Sequence, residues 1–123
     1  MDYNDLLGYK KSFAVAMLIF EVSKEFPVEE KYSLTDQMRR TSRSVSATIA
    51  EAYKKRIYPR NFLNALIDAE AENAETQVWL DFALECGYLK ESKHSELSEM
   101  NDELAKLICY MRENPEKYGS NKL

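Results

Sequence analysis

The chain has 123 residues and a formal net charge of −4, a size that suits one domain with its own core. It is 45% hydrophobic and 31% charged with only three glycines and three prolines, which is typical of long helices joined by short loops. The negative charge gives no overall attraction for nucleic acid or an anionic membrane, and two cysteines with one histidine make a zinc site unfavourable.

The first helix is predicted over residues 5–26, where Leu6, Phe13, Met17 and Phe20 recur at helical spacing. Residues 13–20 contain no polar side chain, so this part of the helix must be covered on all sides. Three partner helices cover only part of such a surface, and the run is too short to span a bilayer. The pattern therefore predicts a subunit interface on the first helix.

The second helix is predicted over residues 34–56, with Ser33 as its N-cap. Its inward stripe is small and partly polar, which permits close approach of a neighbouring helix. Pro59 suits the first turn of the next helix. The inward stripe consists of Leu34, Met38, Thr41, Val45, Ile49 and Ala52.

The third helix is predicted over residues 59–85 and the fourth over residues 91–112. Gly87 provides a left-handed cap after the third helix, and residues 114–123 are expected to form a flexible tail. The third helix has two apolar faces about 100° apart, one containing Phe62 and Leu66. Together these elements predict an all-α, antiparallel up-down-up-down four-helix bundle in one domain. The second apolar face of the third helix consists of Leu63, Ile67, Ala74 and Val78.

Charge is distributed unevenly along the chain. Residues 35–60 carry seven basic against two acidic side chains, and residues 66–103 carry eleven acidic against two basic ones. One interpretation is that these are solvated helix faces with local pairs such as Asp36 with Arg40. The other is that outward stripes of opposite charge meet across a subunit boundary, as Trp79 on the acidic stripe suggests. The candidate interface residues are Phe13, Met17, Phe20, Arg39, Arg40, Arg43, Glu51, Asp68, Glu72, Glu75 and Trp79.

The adjacent Arg39 and Arg40 are expected to provide at least one ion pair with a carboxylate, either Glu51 or an acid of the third helix. Glu51 lies about three turns further along the same helix, so it cannot reach either arginine within one straight helix. The partner is therefore expected to come from a neighbouring helix or subunit.

No catalytic constellation stands out. The chain has no glycine-rich phosphate loop, no nucleophile-elbow motif and no paired histidines at helical spacing. His94 is expected to be an exposed surface residue, and Glu70, Asn73 and Gln77 to be buried or interfacial hydrogen-bonding groups. No catalytic, cofactor-binding or metal-binding residue is predicted.

A basic cluster lies where the second helix meets the third. Four bases stand there, and two tyrosines flank them and could stack on unpaired bases of a nucleic acid. The alternative is that lysine and arginine simply complement the dipole at a helix end. The candidate nucleic-acid contacts are Lys54, Lys55, Arg56, Arg60, Tyr53 and Tyr58.

Several segments carry a family resemblance. They include Gln37-Met38-Arg39-Arg40, Ile49-Ala50-Glu51, Glu75-Thr76-Gln77 and Gly87-Tyr88-Leu89. The chain resembles the four-helix-bundle proteins encoded in intervening sequences of large-subunit ribosomal RNA genes over about residues 3–112. It departs from their pattern at Ser46, Thr48, Ala52, Glu70, Glu72 and Tyr9.

The resemblance implies a bundle that assembles into a closed ring, typically of five identical subunits. A similar bundle serves as the accessory protein of a retroelement reverse transcriptase and binds nucleic acid and polymerase. The leading hypothesis is a non-enzymatic, cytoplasmic homo-oligomeric scaffold that associates with itself, with RNA or a ribonucleoprotein as a candidate partner and no role at a membrane. The alternatives are a regulatory partner of another protein, or a small-ligand protein or enzyme using the ring interior or the polar residues of the second and third helices. A closed pocket in the assembled ring where Arg39, Glu51 and Gln77 converge would favour the ligand-binding alternative.

Overall fold

Four long helices account for most of the chain. The computed structural model describes all of residues 1–123. The helices are α1 (Leu7–Ser23), α2 (Leu34–Lys54), α3 (Pro59–Glu85) and α4 (Glu91–Glu113). Short 3-10 turns cover Tyr3–Asp5, Val28–Glu30 and Pro115–Tyr118.

The four helices form a bundle in which chain neighbours are also neighbours in space. Each helix packs against the next, and α4 returns to pack against α1. As a result, α1 and α3 lie on opposite corners and both run in the same direction. The prediction of an all-α four-helix bundle is confirmed.

The first helix is shorter than predicted. It ends at Ser23, and the chain then tightens into three-residue hydrogen bonds such as Phe26 N–H to the Ser23 carbonyl. Phe26 precedes Pro27, which disfavours a helical conformation there, and its side chain turns into the core at 8% exposure.

The entrance to α2 also differs from the prediction. The Ser33 side chain does not cap the helix but donates to the Glu30 carboxylate at 2.5 Å. The same carboxylate oxygen accepts a hydrogen bond from the Leu34 N–H at 3.4 Å. Glu30 thus takes the role that was expected for Ser33, because an acidic oxygen is favoured near the positive end of a helix.

The core has two apolar clusters, one above the other. The upper cluster contains residues from the end of α1 to the start of α4, including Ile19, Met38, Leu80 and Leu97. The lower cluster lies near the start of α1 and the end of α4; its members are Leu6, Val45, Ile49, Ala52, Tyr53, Phe62, Ala65, Leu66, Ala69, Leu104, Ile108 and Met111.

Pairs of small hydroxyl side chains mark the middle of the bundle. Ser12 of α1 lies 2.8 Å from Ser46 of α2, and Thr76 of α3 lies 3.0 Å from Thr41 of α2. All four side chains are buried, so these bonds fix how far each helix is shifted along its neighbour.

The C-terminal segment differs from the flexible tail that was expected. After Pro115 the chain forms a 3-10 turn, reverses at Gly119 with φ +82°, and packs back onto the end of the bundle. Tyr118 contacts the lower cluster and Ser120 is only 2% exposed. An aromatic side chain three residues beyond the helix-breaking Pro115 can reach the apolar end of the bundle, which explains the difference.

Candidate interaction surfaces

The outward face of α3 is an apolar stripe that no other part of the chain covers. Ile67, Val78 and Phe82 are 48%, 47% and 54% exposed. Ala71 and Ala74, between them, are also exposed, and Leu63 is half-buried. This surface is the second apolar face of the third helix. The sequence pattern showed this face as apolar, but its residues were not among the candidate interface residues.

A second apolar surface lies between α1 and α2. It is a groove of about 490 Å³ with Phe13 and Met17 at its edge, 52% and 46% exposed. With Ala14, these two residues are the exposed part of the apolar run 13–20, and the subunit interface on this helix stays a prediction. The groove is lined by Tyr3, Tyr9, Phe13, Ala16, Met17, Arg43, Ser46, Ala47 and Ala50.

Phe20, the third apolar residue predicted for the interface, is shielded within the chain. The Arg39 and Arg43 guanidinium carbons lie 4.9 and 5.8 Å from the centre of its ring, and the Lys24 ammonium lies 4.7 Å away. Arg39 also donates to the Ser23 hydroxyl at 2.8 Å. Cation–π contact with three bases leaves Phe20 half-buried, so Phe20 and Arg39 already have partners in the monomer.

Arg40 pairs with Asp36 of its own helix at 3.7 Å, and both side chains are largely exposed. Within one chain this is the local pair of the first interpretation, and a carboxylate supplied by another subunit stays a prediction. Asp36 is one turn earlier on the same face, which makes it the nearest available acid.

The predicted acidic stripe of α3 faces α2 across a polar groove. Two adjoining cavities of about 400 and 410 Å³ share Glu72. Although bases and acids line opposite sides of this groove, no ion pair links α2 to α3. The two cavities are lined by Arg40, Thr41, Arg43, Ser44, Thr48, Glu51, Lys55, Asn61, Asn64, Ala65, Asp68, Ala71, Glu72 and Glu75.

Glu72 is the least solvated acid of this groove. One of its carboxylate oxygens is buried without a hydrogen-bond partner. Burial raises the pKa of Glu72 above its ordinary value, while the neighbouring Thr48 hydroxyl acts in the opposite direction. Asp68, Glu75 and Glu51 are exposed around it.

Trp79 does not stand on an outward acidic stripe as predicted. Its indole is half-buried against the upper cluster, with its ring centre 6.0 Å from that of Phe82. The indole N–H is buried without a partner. A residue on the flank of α3 can fold a large ring back onto the core, which helical spacing alone does not reveal.

Polar side chains between α3 and α4 form an internal hydrogen-bonded set. Arg112 donates to Glu70 at 2.5 Å, Asn73 donates to the Asn101 carbonyl at 3.1 Å, and Gln77 donates to Ser98 at 2.9 Å. The interpretation of Glu70, Asn73 and Gln77 as buried or interfacial hydrogen-bonding groups is confirmed.

His94 is less exposed than expected. Its side chain is 20% exposed and Nε2 lies 2.8 Å from the Asp81 carboxylate. The ring therefore spans α4 and α3 instead of pointing into solvent.

The basic end of the bundle retains only part of the predicted cluster. Tyr53 is 5% exposed, its ring centre lies 4.1 Å from the Arg56 guanidinium carbon, and its hydroxyl donates to the Met1 carbonyl at 3.4 Å. Arg56 also donates to the Tyr53 carbonyl at 2.8 Å, and Lys54 pairs with Asp2 at 3.0 Å. Tyr53 is thus unavailable for stacking on a nucleic-acid base.

The remaining members of the cluster project from the turn between α2 and α3. Lys55 and Arg60 are exposed and form no ion pair, and Tyr58 is 61% exposed. These three side chains are the ones that can reach a phosphate or a base.

Within one chain, the residues considered from sequence for a ligand pocket do not come together. Arg39 is held on the α1 side of α2, Glu51 lines the α2–α3 groove, and Gln77 faces α4. No three histidine, cysteine, aspartate or glutamate side chains converge in a way that could hold a metal ion. None of the helices has both the length and the apolar content needed to span a membrane.

The sequence and the fold were compared with those of known proteins to find the family of this chain. A model of the family described as 23S rRNA-intervening sequence protein matches residues 4–109. A comparison with curated proteins gave no match. The structure is similar to that of a protein of unknown function from the S23 ribosomal protein family of Bacteroides thetaiotaomicron, with 25% identity and a TM-score of 0.79. The similarity covers 92% of this chain and 99% of that one. Since the family model spans most of the sequence, the chain belongs to the 23S rRNA-intervening sequence protein family.

Proposed function

We propose that this protein is a non-enzymatic scaffold that assembles with copies of itself into a ring. The observation that carries the proposal is the outward stripe of α3. From Leu63 to Phe82 it extends roughly 30 Å along the helix, at about 1.5 Å per residue. Contiguous exposed apolar surface of this kind is typical of protein interaction sites.

Self-association explains why so many apolar side chains remain outside the core. Phe13 and Met17 on α1 are about half exposed, as are Ile67, Val78 and Phe82 on α3. Burying each such side chain contributes roughly 1 kcal/mol, because about half of a large apolar surface is removed from water. The family resemblance implies five copies, which for a chain of 14.3 kDa corresponds to about 70 kDa.

Sedimentation equilibrium between about 1 and 100 µM tests the proposal, a range in which stable oligomers are populated. The expected result is a single assembly of several copies. Val78→Glu should shift the mass towards 14.3 kDa, because it places a charge in the stripe. Ala105→Glu, the same charge at an exposed position of α4, is the matched control. A wild-type protein that sediments only as the 14.3 kDa monomer contradicts the proposal.

Association with RNA is a second candidate, favoured by the exposed Lys55, Tyr58 and Arg60 at the α2–α3 turn. In a ring, every copy would present this turn on the same rim. Phosphate contacts release counterions, so binding of single-stranded RNA should fall steeply between about 50 and 200 mM salt. Lys55→Ala with Arg60→Ala should abolish it, whereas Tyr53→Phe should not. Absence of binding at about 50 mM salt rejects this candidate.

A further inference from the structure

We infer that the assembly is head-to-tail, with the α3 stripe of one copy seated on the α1–α2 groove of the next. The inference rests on the proposed self-association and names the two surfaces that meet. The groove lies between α1 and α2 and the stripe lies on the outward side of α3, so the two apolar surfaces are on different faces of the bundle. Two different surfaces on separate faces of one chain allow a head-to-tail contact with a neighbour at each, and such contacts form a ring when the rotation between neighbours closes.

The heights of the two surfaces along the bundle agree. The Thr41–Thr76 bond sets the antiparallel register of α2 and α3, which places Ser46 level with Ala71. The Ser12–Ser46 bond then places Ser12 of α1 at that same level.

Phe13 and Met17 therefore lie level with the segment from Ala71 to Thr76. In a ring whose axis runs along the helices, equal heights meet between neighbouring copies.

The shapes at this height are complementary. The stripe has large side chains towards its two ends, such as Ile67 and Val78, and only Ala71 and Ala74 in the middle. The alanines leave a shallow depression where Phe13 and Met17 of the neighbour would project. Bulky side chains inserted between small ones are the usual packing between helices.

Charge favours the same pairing. Asp68, Glu75 and Glu85 lie beside the stripe and form no ion pair within the chain, and the same is true of Lys10 and Arg43 beside the groove. Two stripes facing each other would bring like charges together, which is unfavourable. Stripe against groove brings acids towards bases. Lys10 lies near the height of Asp68, whereas Arg43 and Glu75 already line the same α2–α3 groove within one chain.

Two variants that each block one surface test the pairing. Ala74→Arg blocks the stripe and leaves the groove intact; Met17→Arg blocks the groove and leaves the stripe intact. Both positions are exposed, so neither change enters the core. Ala105→Arg on α4 introduces the same side chain away from both surfaces and should assemble like the wild type.

Each blocked variant alone is expected to sediment as the 14.3 kDa chain. An equimolar mixture should form a one-to-one dimer, joined by the single intact pair of surfaces. Because one interface lacks the cooperativity of a closed ring, the mixture is measured at about 100 µM, where a single weak contact is still populated.

The other outcomes overturn the head-to-tail pairing. If Met17→Arg still assembles by itself, the stripe pairs with something other than the groove, although self-association stands. If the mixture remains monomeric, the two surfaces do not meet. Only a monomeric wild type would reject the proposed scaffold as well.

Discussion

The hydroxyl groups of Thr41 and Thr76 lie 3.0 Å apart at the centre of the α2–α3 interface, where the two residues are 6% and 1% exposed. The Thr76 hydroxyl also bonds to the Glu72 carbonyl of its own helix at 2.9 Å. The pair therefore joins α2 and α3 at one defined register. That register determines which residues of α3 stand level with the exposed side chains of α1.

Replacing Thr41 by valine should lower the free energy of unfolding by about 1 kcal/mol, because the shape is kept while a buried hydrogen bond is lost. Urea denaturation measures the change. The double variant with Thr76→Val should lose less than the sum of the two single variants, because the shared bond can be lost only once. Strictly additive losses would show that the two hydroxyls are not coupled.

Two glycines should respond in opposite ways to alanine. Gly8 lies in α1, and a Cβ there would meet neighbours no closer than 3.7 Å, so Gly8→Ala should stabilise by about 0.5–1 kcal/mol. Gly87 has φ +78° and no atom within 4 Å of the added Cβ. Gly87→Ala should therefore destabilise by about 1 kcal/mol through the backbone alone.

Thermal unfolding at one fixed protein concentration compares these variants, with a change of about 3–5 °C expected for each kcal/mol. A lower unfolding temperature for Gly8→Ala would mean that α1 cannot accept even a methyl group against α4. An unchanged temperature for Gly87→Ala would show that the left-handed turn after α3 is not maintained.

Glu72→Gln should stabilise the protein at neutral pH. Burial holds the pKa of Glu72 above the ordinary value of 4.5, so the folded chain resists ionising this carboxyl more than the unfolded chain does. Stability from this group is fully present below pH 4.5 and is lost as the pH rises through the folded pKa. Glutamine stays neutral, so the gain should be below about 1 kcal/mol at pH 7 and should vanish near pH 4.

Glu75→Gln removes the same charge from an exposed position of α3 and serves as the control for Glu72→Gln. Unfolding free energies at pH 4 and pH 7 are measured for both variants. An equal gain in unfolding free energy for both variants would mean that the effect comes from the general excess of acids on α3 and not from burial of Glu72.

Deleting residues 115–123 should lower the free energy of unfolding by about 2 kcal/mol, because Tyr118 packs against the lower cluster. Deleting only residues 121–123, which are exposed, should change it by less than about 0.5 kcal/mol. Urea denaturation of the two truncated proteins distinguishes them. Equal stabilities would mean that the segment behaves as the flexible tail expected from sequence.

Sequence by itself determined the helices and the class of fold. Apolar spacing, Pro59 at the start of α3 and Gly87 after its end are local signals, and they act through backbone conformations that the residues themselves impose. The boundaries of α3 agree with the prediction for that reason. The end of α1 and the cap of α2 do not, because Phe26 and Glu30 also contact Tyr88, which is distant in the sequence.

Only the tertiary structure determined which outward residues remain exposed for contact with a partner. Helical spacing predicted that Phe20, Trp79 and Tyr53 would be as open to a partner as Phe13 and Met17. Contacts with residues far away in sequence cover the first three and leave the last two open.

The α3 stripe was visible in the sequence as a second apolar face. Whether another helix covered that face depended on the order of helices around the bundle. Helix order is a property of the whole packed chain, since each helix has two neighbours and a third face that local periodicity cannot assign.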